Sequence, residues 1–270
     1  MNTPLTSGNA RLKDTRKLSR RSERSERRLF LADGPKAVEG ALGVPGCVVE
    51  VFATPAATEQ YADLASAAPV WTLVEDRAMA GLSDSVNPAG VVAVCRSLDR
   101  PLEHLLDPAP ALLAICADVR DPGNAGTVIR SADAAGAGAV VLTGSSVDPY
   151  NPKTVRASVG SLFHLPVAVT DDAASAVRAA QAAGLVVLAA DGAGDVDLFE
   201  AGELLAGPTA WLFGNEAWGL PPELVALADH RVSIPIHGRA ESLNLSTAAA
   251  LCLYASATTQ RRAAGDRPLS

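Results

Sequence analysis

From Ala111 to about Arg262, short aliphatic runs alternate with segments of helical character, and this alternation constrains the fold more than any other feature of the chain. The runs at Ala111–Ala117, Ala139–Thr143, Leu185–Ala190 and Thr209–Phe213 are apolar apart from Thr143 and Thr209 at their ends. A strand covered on both faces has that pattern, whereas a half-exposed strand alternates polar with apolar. Further extended segments are expected at Leu165–Val169 and Arg231–Ile236. Between them, helices are expected at Asn124–Ala135, Pro152–Gly160, Ala173–Ala183 and Pro222–Ala228, with a long closing helix over Leu243–Arg262. Strand, helix, strand in repetition predicts an α/β fold with a largely parallel sheet. Aromatic residues are 4% of the chain against 48% hydrophobic, so the core is built from Ala, Val and Leu.

The N-terminal part alternates too. Residues 1–10, with Pro4 and Gly8, are expected to be a disordered tail. Arg11 to Leu31 contains no Gly or Pro and predicts one helix, broken by Asp33-Gly34-Pro35. A helix at Lys36–Leu42, strands at Cys47–Ala53, Trp71–Val74 and Val91–Cys95, and helices at Thr58–Ala67 and Arg77–Leu82 complete a small α/β domain over 11–98. A linker is expected at 99–110, where Pro101, Pro108 and Pro110 fall between apolar segments. The second domain then spans 111–262, with a disordered tail at 263–270.

The net charge of −7 argues against a polyanion partner until its distribution is considered. Residues 11–28 carry nine Lys or Arg against three acids, a local +6 on a remainder of −13. Such a cluster suits RNA phosphates, with Arg16, Lys17, Arg20, Arg21, Arg24 and Arg28 as the candidate contacts. A solvated helix with Glu–Arg pairs along one face accounts for it equally well. Cys47, Cys95, Cys116 and Cys252 are far apart in apolar stretches, and the four His show no ligand spacing, so neither a disulfide framework nor a metal is expected. No run approaches the roughly 20 apolar residues that span a bilayer. A cytoplasmic protein with no membrane partner is expected.

Three segments bring polar groups to strand ends, where α/β proteins build sites. The first is Asp121-Pro-Gly-Asn-Ala-Gly-Thr-Val-Ile-Arg130, in which Pro122-Gly123 turns the chain into a helix. Asn124 and Arg130 are expected as near neighbours on it, Arg130 being suited to a bidentate grip on phosphate or carboxylate. The second, Leu212-Phe-Gly-Asn-Glu216, leaves a strand through Gly214 and sets a carboxylate at the sheet edge. The third runs from Ile234-Pro235 to Ser242-Leu-Asn-Leu-Ser246. Ser242 could serve there as a helix N-cap, with Asn244 and Ser246 adding more hydrogen-bonding groups than a cap needs. A nicotinamide-binding fold is the competing reading of the first segment. It lacks Gly-x-Gly-x-x-Gly, offering only Gly123-x-x-Gly126, and no acid ends the next strand.

Together the three segments resemble the signature motifs of the SpoU/TrmH family of the SPOUT superfamily, the RNA ribose 2′-O-methyltransferases. Asn124 with Arg130, Gly214-Asn-Glu216, and Ile234-Pro235 with Ser242-Leu-Asn-Leu-Ser246 match in order and spacing. The N-terminal region is similar to the substrate-binding domain of many members, itself related to a ribosomal-protein fold, through Asp33-Gly-Pro and Asn87-Pro-Ala-Gly-Val91. The resemblance implies a deep trefoil knot in the C-terminal domain. It also implies S-adenosylmethionine held by Leu212, Gly214, Ile234, Leu243, Asn244 and Ser246, and a homodimer in which Arg130 serves the partner's cofactor. Catalytic roles would fall to Arg130, Asn124, Glu216, Ser242 and Asn244. Ribosomal RNA is implied ahead of transfer RNA by the N-terminal domain. A non-catalytic RNA-binding protein of the same fold is the alternative, opposed by the intact motif residues.

Overall fold

The computed structural model describes residues 3–265, which divide into two compact units, one of the residues up to 98 with 148–164, the other of 99–147 with those from 165 on.

The first unit holds a four-stranded sheet. Its strands are β1 (Leu29–Asp33), β2 (Val48–Ala53), β3 (Trp71–Leu73) and β4 (Val91–Arg96), in the order β1-β4-β2-β3. β4 runs antiparallel to both of its neighbours, and β3 is parallel to β2. The single helix expected over 11–31 is instead three pieces and a strand. Helix Ala10–Arg16 passes into a 3-10 turn at Lys17–Ser19, breaks at an extended Arg20, and resumes as Arg21–Arg27. Leu29 to Asp33 then pairs with β4, so Phe30, Leu31 and Ala32 are buried where a helix would have exposed part of the run. Pairing with a strand some 60 residues later overrides local helix propensity. The expected N-terminal tail is ordered from residue 3. Leu5 lies beside β3, its N–H donating to Leu73 O at 2.8 Å while its carbonyl accepts from Glu75 N at 3.0 Å. Of the expected C-terminal tail, residues 266–270 lie outside the described residues, and residues before them continue the last helix to Ala263.

Residues 148–164 interrupt the second unit in sequence yet pack within the first. Tyr150 stacks on Phe30 with ring centroids 4.5 Å apart, and its hydroxyl accepts from Leu98 N. Phe163 also stacks on Phe30 and reaches Gly40, where an added Cβ would stand 2.9 Å from its ring. The helix expected at Pro152–Gly160 is found at Pro152–Ser158.

The second unit is a seven-stranded sheet in the order β7-β6-β5-β10-β8-β11-β9. The strands are β5 (Leu112–Ala117), β6 (Ala139–Thr143), β7 (Val167–Thr170), β8 (Val186–Ala190), β9 (Val196–Asp197), β10 (Thr209–Phe213) and β11 (His230–Ser233). All its pairings are parallel. β5 and β10, at the centre, are buried along their whole length, as expected of strands apolar but for Thr209, whose hydroxyl reaches Ser256 Oγ at 3.3 Å. Helices Pro122–Ala135 and Leu245–Ala263 pack against each other, and Ala173–Ala182 packs on β8. Inside the core, Trp211 of β10 is fully buried and its indole N–H donates to Ser256 Oγ at 2.9 Å, which fixes the long helix against the sheet. The expected linker is not featureless, since Leu102–Leu105 is helical and Leu105 is buried in the core of the second unit. No helix among the described residues is long and apolar enough to cross a membrane.

Candidate active site

The three polar segments converge within the second unit. Asp121 caps helix Pro122–Ala135, its carboxylate accepting from Asn124 N at 2.8 Å, and this cap brings Asn124 to the carboxyl edge of the sheet. Glu216 comes from the loop after β10. One oxygen accepts from Asp121 N at 3.1 Å and Asn124 Nδ2 at 3.2 Å, the other from Arg120 N at 3.2 Å. Asn244 completes the set, its Nδ2 donating to Asn124 Oδ1 at 3.0 Å. Its own Oδ1 accepts from Ser246 N at 2.9 Å and Ser246 Oγ at 2.7 Å. Glu216, Asn124, Asn244 and Ser246 thus form one continuous chain, each donor facing an acceptor.

The cap of the long helix is Asn244 rather than Ser242, since Asn244 Oδ1 receives the first helical N–H groups. Ser242 stays exposed on the wall of a cavity of about 510 Å³. That cavity is lined at one side by Gly214, Glu216 and Gly219, at another by Val232 to Ile236, and closed by Ser242, Leu243 and Leu245. Of the residues expected to hold a cofactor, Gly214, Ile234 and Leu243 line it. Leu212 sits in the hydrophobic core beneath, and Asn244 and Ser246 belong to the hydrogen-bonded chain beside it. Ala190, Asp191 and Gly192 at the end of β8 also line the wall. Their signal was a strand followed by Asp-Gly, which marks a turn but does not say that it faces a cavity.

Two backbone features shape this mouth. An added Cβ on Gly214 would stand 2.3 Å from the Gly219 carbonyl carbon, so no other residue fits without moving the loop. Asn215, buried, locks that loop: its backbone exchanges two 2.9 Å hydrogen bonds with Gly219, and Nδ2 donates to Asp118 O at 2.6 Å. Asn215 was not singled out from the sequence, where it is one small polar residue between Gly214 and Glu216.

Arg130 is not part of this cluster. Six residues at 3.6 per turn place it roughly 120° around the helix from Asn124 and about 9 Å along it. The expectation of near neighbours is therefore corrected. Arg130 is exposed and, among the described residues, makes no ion pair or side-chain hydrogen bond. The basic N-terminal segment is also less uniform than its sequence. Arg24 is buried, its guanidinium paired with Asp148 at 2.6 Å and donating to Leu18 O and Ser19 O. It is a structural cation and is withdrawn from the phosphate-binding set. Arg16, half-buried, donates to Ser7 O and Ala78 O. Lys17, Arg20, Arg21 and Arg28 are exposed, Lys17 with Asp14 as its partner at 3.0 Å.

Residues 111–254 match the SpoU rRNA Methylase family, and residues 9–93 match the MRM3-like substrate binding domain. The chain is 36% identical over 249 residues to a Bacillus subtilis protein named 23S rRNA (guanosine(2553)-2′-O)-methyltransferase, covering 91% of this chain and 95% of that one. The AdoMet-bound rRNA methyltransferase from Sinorhizobium meliloti superposes with a TM-score of 0.80 at 35% identity, covering 96% and 97% of the two chains. The SpoU methyltransferase AviRb from Streptomyces viridochromogenes, in complex with AdoMet, gives a TM-score of 0.84 at 30% identity, covering 96% of this chain and all of that one (100%). Motif geometry, family match and full-length relatives agree: the chain belongs to the SpoU family of RNA methyltransferases.

Proposed function

We propose that this protein transfers a methyl group from S-adenosylmethionine to a ribose 2′-hydroxyl of RNA, with ribosomal RNA as the substrate class. The observation that carries the reading is the hydrogen-bonded chain Glu216–Asn124–Asn244, which joins all three motifs beside one cavity. The names of relatives from Bacillus subtilis and Streptomyces viridochromogenes, both 23S rRNA 2′-O-methyltransferases, support the substrate class.

The cavity suits the cofactor. Its volume of about 510 Å³ is in the range of small-molecule sites. Val232, Ile234 and Leu243 offer apolar wall for an adenine, and Ile234–Ile236 continues past the last ladder pair of β11, where backbone groups are released from the sheet. Glu216 and Glu241 give the wall an acidic character suited to a cationic ligand, while Asp191 there is paired with Arg231 at 3.1 Å. When bound, the cofactor supplies a methyl group activated by a positively charged sulfur. The chain must then align the ribose hydroxyl and provide for its proton.

Glu216 already accepts three N–H groups, so its role is to hold the Arg120–Asn124 turn in place rather than to act as a base. Arg130 cannot readily give up its proton, and its role is to grip the phosphate and polarise the hydroxyl. Its separation from its own subunit's network supports the reading that it acts at the partner's site across a homodimer. The exposed Leu251 and Tyr254 on the long helix supply apolar surface for that contact. The family match supports a trefoil knot in this region. Lys17, Arg20, Arg21 and Arg28 are the exposed cations that would attract RNA, in a cytoplasmic setting. Calorimetry with S-adenosylmethionine tests the reading. Saturable one-to-one binding that Gly214→Ala abolishes is expected, and absence of binding to the wild type overturns it.

A further inference from the structure

We infer that Trp218, with Arg120 packed on its ring, is a stacking platform for an unpaired nucleobase of the RNA substrate. The inference rests on the function proposed above and adds a subsite to it.

Trp218 is 56% exposed, the largest side chain left open among the apolar residues around this site. Burying such an indole is favourable, and one left in water beside a catalytic edge is available to a ligand. The neighbouring chain sets its direction. Ala217 and Gly219 both line the cofactor cavity, whereas Trp218 between them does not. The ring therefore stands outside the cavity, on the rim. There the Arg120 guanidinium carbon lies 5.0 Å from the ring centroid, a cation–π contact. Arg120 is exposed and forms no ion pair among the described residues, so its charge is open to phosphate.

The platform is anchored to the catalytic cluster at both ends. Arg120 N donates to Glu216 Oε2 at 3.2 Å, and Trp218 is two residues from Glu216 in a loop pinned by Asn215. The loop that carries the ring is thus tied to the same cluster as Asn124 and Asn244. Aromatic and guanidinium planes are what single-stranded RNA uses for stacking, and every base presents a π-face. A base laid on the Trp218 face opposite Arg120 would bring its own or an adjacent ribose toward the network, and the Arg120 charge would draw the backbone phosphate. A protein partner would equally cover an aromatic ring. The adjoining polar network of Glu216, Asn124 and Asn244, and a guanidinium without an ion pair among the described residues, favour RNA.

The chain has three tryptophans, of which Trp211 is fully buried and Trp71 donates to Thr58 Oγ1 in the first unit. Tryptophan emission of the full-length wild type, Trp218→Phe and Trp71→Phe is followed on adding a short single-stranded RNA and the same sequence as a duplex. Quenching by the single strand is expected in the wild type and Trp71→Phe, with none in Trp218→Phe and little from the duplex. In methyl-transfer assays Trp218→Ala should raise KM for RNA on the order of ten-fold with S-adenosylmethionine affinity unchanged, and Trp218→Phe should recover most of the loss. Quenching that persists in Trp218→Phe, or an unchanged KM in Trp218→Ala, overturns the inference. So does dissociation of a wild-type dimer by Trp218→Ala in sedimentation, which would assign the ring to a subunit contact. If the wild type neither binds the cofactor nor transfers methyl, the proposed function fails, while the emission contrast still decides whether Trp218 takes a base.

Discussion

Asn244 donates from Nδ2 to Oδ1 of Asn124 at 3.0 Å, joining residues 120 positions apart in the chain. Asn124 passes the interaction on to Glu216, whose carboxylate also holds the Arg120 and Asp121 amides. The turn that presents the first motif is thereby fixed by the second and third.

Glu216→Ala removes the acceptor of three N–H groups. All three are exposed, so water takes its place and the loss of stability should be about 1 kcal/mol or less. Misplacement of the Arg120–Asn124 turn should nevertheless reduce methyl transfer by about 100-fold. Thermal unfolding and single-turnover rates on the same preparations separate the two effects, and a wild-type rate would remove the network from catalysis.

Arg130→Ala should leave the unfolding free energy within about 0.5 kcal/mol of wild type, because the side chain is exposed and makes no ion pair among the described residues. Methyl transfer should fall sharply, and Arg130→Lys should recover little because the bidentate fork is lost. Mixing the impaired Arg130→Ala and Glu216→Ala subunits tests the cross-subunit role: a heterodimer with one intact composite site regains activity above either variant alone. Failure to regain any would place Arg130 in its own subunit's site.

Gly214→Ala drives a Cβ to 2.3 Å from the Gly219 backbone, which a side-chain rotation cannot relieve. Overpacking of this kind costs about 1–3 kcal/mol. Displacement of the Gly214–Gly219 loop should also abolish cofactor binding, measured by calorimetry at a temperature where the variant remains folded.

The basic residues divide into two groups. Arg24→Ala leaves Asp148 without its buried partner and should destabilise the protein by about 3–5 kcal/mol. A double Arg20→Ala, Arg21→Ala variant should keep its stability and show a shallower dependence of RNA affinity on salt. Denaturant titration and binding isotherms at several salt concentrations check both. A salt slope unchanged in the double variant would exclude these residues from phosphate contact.

Burial in β5, and to a lesser extent the Glu216 carboxylate, push the Cys116 thiol up to about 12 from an ordinary 9.0, and burial raises Cys252 as well. A thiol that holds its proton longer when folded contributes stability below pH 9, lost as pH rises toward 12. The unfolding midpoint should therefore fall across that window, and Cys116→Ala should flatten the fall. The same protonation predicts that alkylating reagents at neutral pH leave these buried thiols unmodified until the chain unfolds.

The parallel sheet was legible because β5, β6, β8 and β10 are apolar on both faces, a pattern little else produces. The N-terminal strand was not. Leu29–Asp33 follows a run of good helix formers, and its partner β4 lies far along the chain, where local propensity carries no information. The placement of residues 148–164 in the first unit was hidden for the same reason, since it rests on Phe30 meeting Tyr150 and Phe163. At the site, the residue types were readable but their grouping was only partly so. Asn124, Glu216 and Asn244 announce themselves as polar groups at strand ends, whereas Asn215 and Asp191 matter through loop geometry that no spacing reveals. Arg24 shows the limit of reading charge from sequence: the same guanidinium serves a phosphate or an inward carboxylate, and only burial distinguishes them.

The most direct measurement is transfer of isotopically labelled methyl from S-adenosylmethionine to protein-free ribosomal RNA, followed by alkaline digestion. A methylated 2′-oxygen can no longer attack the adjoining phosphodiester, so the label should appear in an alkali-resistant dinucleotide from a single position. Label recovered in mononucleotides, as base methylation would give, or no label in RNA at all, would contradict the account.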